Sequence, residues 1–206
     1  MIDAFEITRW ILQLAERDPQ NRAEAAMRLY LAGSDLCTPL LKQWLADPDL
    51  RVLILPTEPN AQGGSALGPA SIVVGIAVEP ETFEKIRAAN HFPPLADVPP
   101  DQDAREFELH FETRIELDIL TTREPGGKGA ISRFLEKFGE GIQQIEVYAS
   151  DVNRATDILR SRFGLEPIYP AARDGAGGTR INFFLAPAPQ GKKVLIEFVE
   201  VKVKKP

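Results

Sequence analysis

The chain has few of the residues that mark the common function classes. Among 206 residues there is one cysteine, Cys37, and only two histidines, His91 and His110. A lone cysteine cannot close an internal disulfide, so a reducing cytoplasm is the expected compartment. Beside the capping residue Thr38, Cys37 reads as a core packer rather than a nucleophile. His91 stands before Phe92-Pro93 at a helix end and reads as structural. Positive charge is also short, with 24 Lys+Arg against 30 Asp+Glu and a net charge of -6. Nonspecific affinity for nucleic acid rests on Lys and Arg neutralising phosphates, so nucleic acid is not an expected partner. No apolar run approaches the roughly 20 residues that a membrane helix needs, so neither is a membrane. Asp3 and Glu6 stand where a secretory signal would be basic. Gly63-Gly64 and Gly126-Gly127-Lys128-Gly129 lack the Gly-Lys-Ser/Thr of a phosphate loop and read as turns.

What is present begins with helix. Residues 1–50 show helical periodicity throughout, first in Ala4, Ile7, Ile11 and Leu14. Asp18-Pro19 opens a second helix that is expected to end at Gly33, and Thr38-Pro39 opens a third, Leu40 to Ala46. The spelling Asp18-Pro19-Gln20-Asn21-Arg22 recurs as Asp47-Pro48-Asp49-Leu50-Arg51, so the helix pair between resembles one HEAT repeat. One such pair leaves apolar surface uncovered and is expected to dock on the rest of the chain or on a partner. Val52–Leu55 is a short apolar run with strand character, and Pro56–Ala70 reads as a Pro- and Gly-rich connection.

Period two replaces the helical period after residue 71. Ile72–Val78 reads as a strand, Glu81–Ala89 as a helix, and Glu106–Glu112 and Arg114–Thr121 as strands. In the first of those last two, Phe107, Leu109 and Phe111 oppose Glu106, Glu108, His110 and Glu112. The acidic run Asp97–Asp118 reads mainly as solvated surface. In Gln144–Ala149, Ile145, Val147 and Ala149 oppose Gln144, Glu146 and Tyr148. A helix follows at once, capped by Ser150-Asp151 and striped by Val152, Ala155, Ile158 and Leu159. The order strand, helix, strands therefore occurs twice, and in the first copy no segment makes a convincing second strand.

Phe134-Leu135-Glu136-Lys137, the Gly139-Glu140-Gly141 joint, Ile142-Gln143-Gln144-Ile145, the Gly175–Gly178 turn before Thr179–Leu185, and Val194-Leu195-Ile196-Glu197 carry a further signal. Together they resemble the second half of a vicinal-oxygen-chelate, or glyoxalase-like, protein, and methylmalonyl-CoA epimerases most of all. The resemblance implies an α+β fold of two βαβββ modules behind a small helical HEAT-like extension. The expected organisation is extension 1–50, linker 51–70 and glyoxalase-like domain 71–206. Its modules are 71–121 and 141–201, joined by a helix over 127–138.

The resemblance also implies a site. The family places a histidine in the first strand of each module and a carboxylate in the last. Here the histidine positions hold Val73 and Gln144, and the carboxylates are Glu116 and Glu197. The implied metal set is thus Glu116, Gln144 and Glu197, three oxygen donors suited to a weakly bound hard divalent cation or to no cofactor. Glu116 and Glu197 are the candidate catalytic bases. Gln144, Glu146, Tyr148 and His110 are the candidate ligand contacts. Two readings follow. One is a small-molecule-binding protein with an altered or lost metal centre, an isomerase or lyase acting next to a carbonyl. The other is a noncatalytic module that binds a protein partner, or a second copy, through the N-terminal helices.

Overall fold

The computed structural model describes residues 4–55, 72–111, 115–191 and 193–201. The connection with Gly63-Gly64, residues 112–114 and the lysine-rich segment 202–206 lie outside the described residues. No helix among those described is long and apolar enough to cross a membrane.

The chain starts with α1 (Ala4–Gln13), α2 (Pro19–Ala46) and the short α3 (Pro48–Arg51). The recurring Asp-Pro spelling works as a helix start. Asp18 Oδ1 accepts from the Gln20 amide at 2.9 Å, and Asp47 Oδ1 accepts from the Asp49 and Leu50 amides at 3.0 Å. Each following proline has no amide to satisfy in the first turn. One expectation fails between these starts. α2 does not stop at Gly33 and restart at Thr38-Pro39; it is one helix of 28 residues with Pro39 inside. Gly33 costs about 1 kcal/mol and Pro39 about 3 kcal/mol against alanine. An apolar stripe continues across both, through Ala25, Leu29, Ala32, Cys37, Leu41 and Trp44, all buried. Burial of that stripe outweighs the local stop signals. Desolvation pushes the Cys37 thiol up to about 12, out of the range of a nucleophile.

Two compact units make up the chain, Met1–Ser34 with Val73–Gln144 and Asp35–Ile72 with Ile145–Pro206. The first holds β1 (Ile72–Ala77), α4 (Pro80–Ala89), β2 (Ala104–Phe111), β3 (Ile115–Thr122), α5 (Ala130–Phe138) and the start of β4 (Gly141–Ala149). β3 lies between β2, its antiparallel partner, and β1, its parallel partner. α4 covers one face, where the Phe83 and Phe107 rings meet at 4.7 Å. Leu109, Leu117, Ile119 and Ile76 are buried on that face. The end of α1 is tied to this unit: Asn90 Nδ2 donates to the Leu14 carbonyl at 3.0 Å. After α4, His91 and Phe92 both take left-handed φ angles of 62° and 54°, which turns the chain sharply there.

The second unit holds the rest of β4, then α6 (Val152–Phe163), β5 (Arg173–Asp174), β6 (Arg180–Pro187) and β7 (Lys193–Glu200), in the order β4-β7-β6-β5. α6 begins on Asp151, whose side chain accepts from the Arg154 amide at 2.9 Å, and ends on Gly164 at φ 64°. It covers the face that carries Asn182, Phe184 and Phe198; Asn182 Nδ2 donates to Thr156 Oγ1 at 3.4 Å. Trp44 of α2 packs 5.6 Å from Phe198. Arg162 of α6 holds Asp47 at 2.7 Å and Asp49 at 2.6 Å. The apolar run before the linker makes a single bridge, Ile54 to Ala149, rather than a strand.

Each unit places its first strand beside its last, β1 by β3 and β4 by β7. The second unit has three strands after its helix. The first has two among the described residues, in line with the weak second strand of its sequence.

Candidate functional site

In both units the helix takes one face of the sheet, and the side chains of chemical interest stand on the other. In the first unit, cross-strand pairing sets Glu106 against Leu120, Glu108 against Asp118 and His110 against Glu116. Residues paired across a ladder share a face, and this one is opposite Phe107 and α4. Gly75 is in register with Asp118 on β1. A Cβ there would overlap Gln144 Cγ and approach Leu120 Cδ1, so the glycine is what lets the Gln144 side chain lie down on this face. Gln144 is buried, Glu116 is half-buried and His110 is exposed, with its Nε2 3.1 Å from Glu108 Oε2. This unit thus brings together Glu116 and His110, an adjacent pair, and carries Gln144 on β4.

The second unit carries the other three expected residues. Glu197 on β7 is 7% exposed and pairs with Phe183. Since Phe198 and Asn182 face α6, Glu197 and Phe183 face away from it. Glu146 and Tyr148 are half-buried on β4, on the side opposite the buried Ile145, Val147 and Ala149.

Similarity to solved structures bears on what such faces are. A methylmalonyl-CoA epimerase from Mycobacterium tuberculosis matches at 31% identity with a TM-score of 0.53, covering 64% of this chain and 87% of that one. The chain belongs to the vicinal-oxygen-chelate superfamily. Two further structures share the fold. A Streptomyces coelicolor methylmalonyl-CoA epimerase in complex with 2-nitronate-propionyl-CoA has 24% identity and a TM-score of 0.50, with 64% and 96% coverage. A hypothetical protein from Bacillus halodurans C-125 has 22% identity and a TM-score of 0.52, with 65% and 95% coverage. No protein-family model matches the sequence, and no curated protein does.

The superfamily pattern implies a metal, and the donors here fit one poorly. Val73 has no side-chain donor, and Gln144 offers only an amide oxygen. Among the described residues, no group of three or more His, Cys, Asp or Glu is arranged to hold a metal ion. These residues do not fit a transition-metal centre.

One group that the alternation of β2 left on the solvated side behaves otherwise. Glu106 is half-buried, and its backbone carbonyl accepts from the Ala96 amide of the preceding segment at 3.0 Å. Burial, and then the charge of Glu108, push its carboxyl up to about 7. Asp118 is 5% exposed. The acidic run is therefore solvated at Asp97, Asp101 and Glu108 but not at Glu106 or Asp118. No signal in the letters marks the difference, since it depends on which strand and which loop cover each carboxylate.

Glu106 has a consequence for stability. Its ordinary value is 4.5, so between there and about pH 7 the folded chain keeps a proton that the unfolded chain gives up. Stability contributed by the protonated group is complete below 4.5 and is lost as the pH rises through 7. Glu106→Gln removes the titration. In urea melts the variant is expected to match the wild type near pH 4 and to exceed it by about 2–3 kcal/mol at pH 8. A difference that stays constant from pH 4 to 8 would show that burial does not perturb this carboxyl.

Proposed function

We propose that the chain binds a small carbonyl compound and moves a proton at the carbon beside the carbonyl, as an isomerase or lyase, with carboxylates and without a transition metal. The observation that carries this reading is Glu197: a carboxylate at 7% exposure, beside Phe183, on the sheet face opposite α6. Burying an ionisable group is costly, and such groups concentrate where proton transfer is needed. Glu197 at the family's last-strand position is the base: it accepts the α-proton, the C–H bond breaks, and its electron pair moves toward the carbonyl oxygen. Return of the proton to either side of the carbon completes an isomerisation. Glu146 and Tyr148 are assigned to ligand contact in the same unit. In the first unit the corresponding polar face is assigned to Gln144, His110 and Glu116, with Glu106 added as an acid–base group able to hold its proton near neutrality. If any cation joins these oxygens, it is a loosely held, hard one.

The epimerase relatives are seen with 2-nitronate-propionyl-CoA and with methylmalonyl-CoA, so an acyl thioester is the proposed substrate class. The test is deuterium uptake at the α-carbon of methylmalonyl-CoA and propionyl-CoA in heavy water, followed by NMR in the presence of EDTA. Exchange above the buffer rate is expected for at least one thioester. No exchange with either would sink the reaction, and exchange that collapses on chelation would sink the metal-independent mechanism.

A second reading has its own observation. In the HEAT-like extension, Phe5 at 74% and Leu12 at 53% exposure on α1, and Met27 and Leu31 on α2, leave apolar side chains in water. In this reading the helices dimerise or hold a protein partner. Sedimentation equilibrium is expected to show a dimer that Leu31→Glu with Phe5→Glu converts to monomer; a wild type monomeric at 100 μM removes the homodimer, an order-of-magnitude bar for weak association.

A further inference from the structure

β2 stands at the end of the strand order, and its outer side differs from that of β6, which holds the same place in the second unit. β5 and the bridge from Pro167 to Phe184 line the outer side of β6. Beside β2 no strand does so among the described residues. Two backbone bonds fix which residues of β2 point outward. In an antiparallel strand the N–H and C=O of one residue point to the same side, and alternate residues point to opposite sides. On β3 the Leu120 carbonyl turns to the Val78 amide at 2.9 Å, away from β2, so Ile119 turns to its partner Phe107. Phe107, Leu109 and Phe111 are thus held by β3, and Glu106, Glu108 and His110 present their main chain outward. The Glu106 carbonyl agrees, since it accepts from the Ala96 amide outside the sheet at 3.0 Å. That bond closes one end of the edge. Beyond it, the backbone N–H and C=O of Glu108 and His110 have no main-chain partner among the described residues. Their side chains are 60% and 59% exposed and lie 3.1 Å apart.

We propose that this open edge pairs with the same edge of a second copy, β2 against β2 and antiparallel, with Glu108 of each copy opposite His110 of the other. The closed end and the charges select that register. For both strands to exchange N–H···O bonds, outward residues must meet outward residues. Pairing Glu108 with itself would set two like carboxylates together and bring His110 to Glu106, whose carbonyl is already taken. Pairing His110 with itself puts no opposite charge at the centre. Glu108 opposite His110 uses only the open main-chain groups, and each carboxylate gains an imidazole across the strands. The other face agrees: the same register sets Leu109 opposite Leu109, and Phe111, half-buried in one copy, opposite Phe107 of the other. Charged side chains on an edge commonly resist pairing. Here an acid and a base two positions apart make the edge complementary to itself, as a two-fold contact requires. So short a ladder gives a weak pair, with a Kd on the order of 100 μM. The inference goes beyond the proposed reaction and does not depend on it, and it uses neither α1 nor α2.

Amide exchange of the full chain by NMR, at about 20 μM and about 1 mM, tests the proposal together with sedimentation over the same range. The Glu108 and His110 amides are expected to exchange about four-fold more slowly at the higher concentration, following the fraction of free chain. Those of Phe107 and Leu109, already bonded to β3, should not change. His110→Glu sets carboxylate against carboxylate twice over and is expected to weaken the dimer about 10-fold or more. Glu108→Lys combined with His110→Glu exchanges the charges and is expected to restore it. Glu108→Pro removes one outward amide from an edge position, where proline is tolerated, and is expected to abolish the dimer. Should the proline variant fold poorly, the charge exchange still decides. Protection of both amides that does not change with concentration, or a wild type monomeric at about 1 mM, overturns the proposal. So does a double variant that stays as weak as His110→Glu. The two dimer readings fail separately. A dimer broken by Phe5→Glu with Leu31→Glu but not by His110→Glu belongs to the helices, and the reverse result assigns it to β2.

Discussion

Glu197→Gln is expected to slow α-proton exchange by about 10²–10⁴-fold, the range for loss of a general base, while leaving ligand affinity nearly unchanged. Glutamine keeps the shape of the side chain and its carbonyl oxygen but cannot accept a proton from carbon. Buried beside Phe183 at 7% exposure, the position offers little room for water to take over as base. The effect should therefore appear in kcat and not in KM, the signature of an interaction made only in the transition state. The neutral amide does not carry the cost of a buried charge, so the folded state should survive the change. Glu146→Gln, on the neighbouring strand, separates a base from a ligand contact: it is expected to act mainly on KM. Exchange by Glu197→Gln at the wild-type rate would place the proton acceptor elsewhere and remove the role given to this carboxylate.

Trp44→Ala is expected to lower the stability of the folded chain by about 3–5 kcal/mol, the usual cost of emptying a large aromatic site. The indole is fully buried and packs against Phe198, which in turn meets Phe184 at 5.8 Å. Those rings form the covered face of β6 and β7, behind the face that carries Glu197. The damage should reach the candidate site through its backing rather than through any contact with ligand. Trp44→Phe is expected to cost clearly less than alanine. It fills most of the space and removes an indole N–H that is buried without a hydrogen-bond partner among the described residues. Urea denaturation followed by circular dichroism measures both. A loss below about 1 kcal/mol for the alanine variant, the range of surface substitutions, would show that the end of α2 adds little to that core.

Much of the fold was legible because it is written in local periods. The alternation at Gln144–Ala149 marked β4 and its buried side. Asp151 marked the start of α6 by capping chemistry, which depends on residues only a few positions away. The family likeness was carried by short runs of the same kind, and the match at 31% identity agrees with them. The chemical type of each candidate donor, such as the Gln144 amide, was equally plain, because it is a property of the residue itself.

Other features were not legible because their causes lie far along the chain. Gly33 and Pro39 are correct local stop signals, and a stripe from Ala25 to Trp44 overrode them by finding surfaces to bury against. Glu106 and Glu108 are the same residue type two positions apart on one face of β2. The first is half-buried, and its carboxyl is pushed up to about 7; the second is exposed. The sequence alone thus determined the strands, the helix limits where a cap rather than burial sets them, and the chemical type of each candidate donor. The tertiary structure decided which carboxylates lose water, because desolvation belongs to neighbours in space, which pairing register sets and residue order does not.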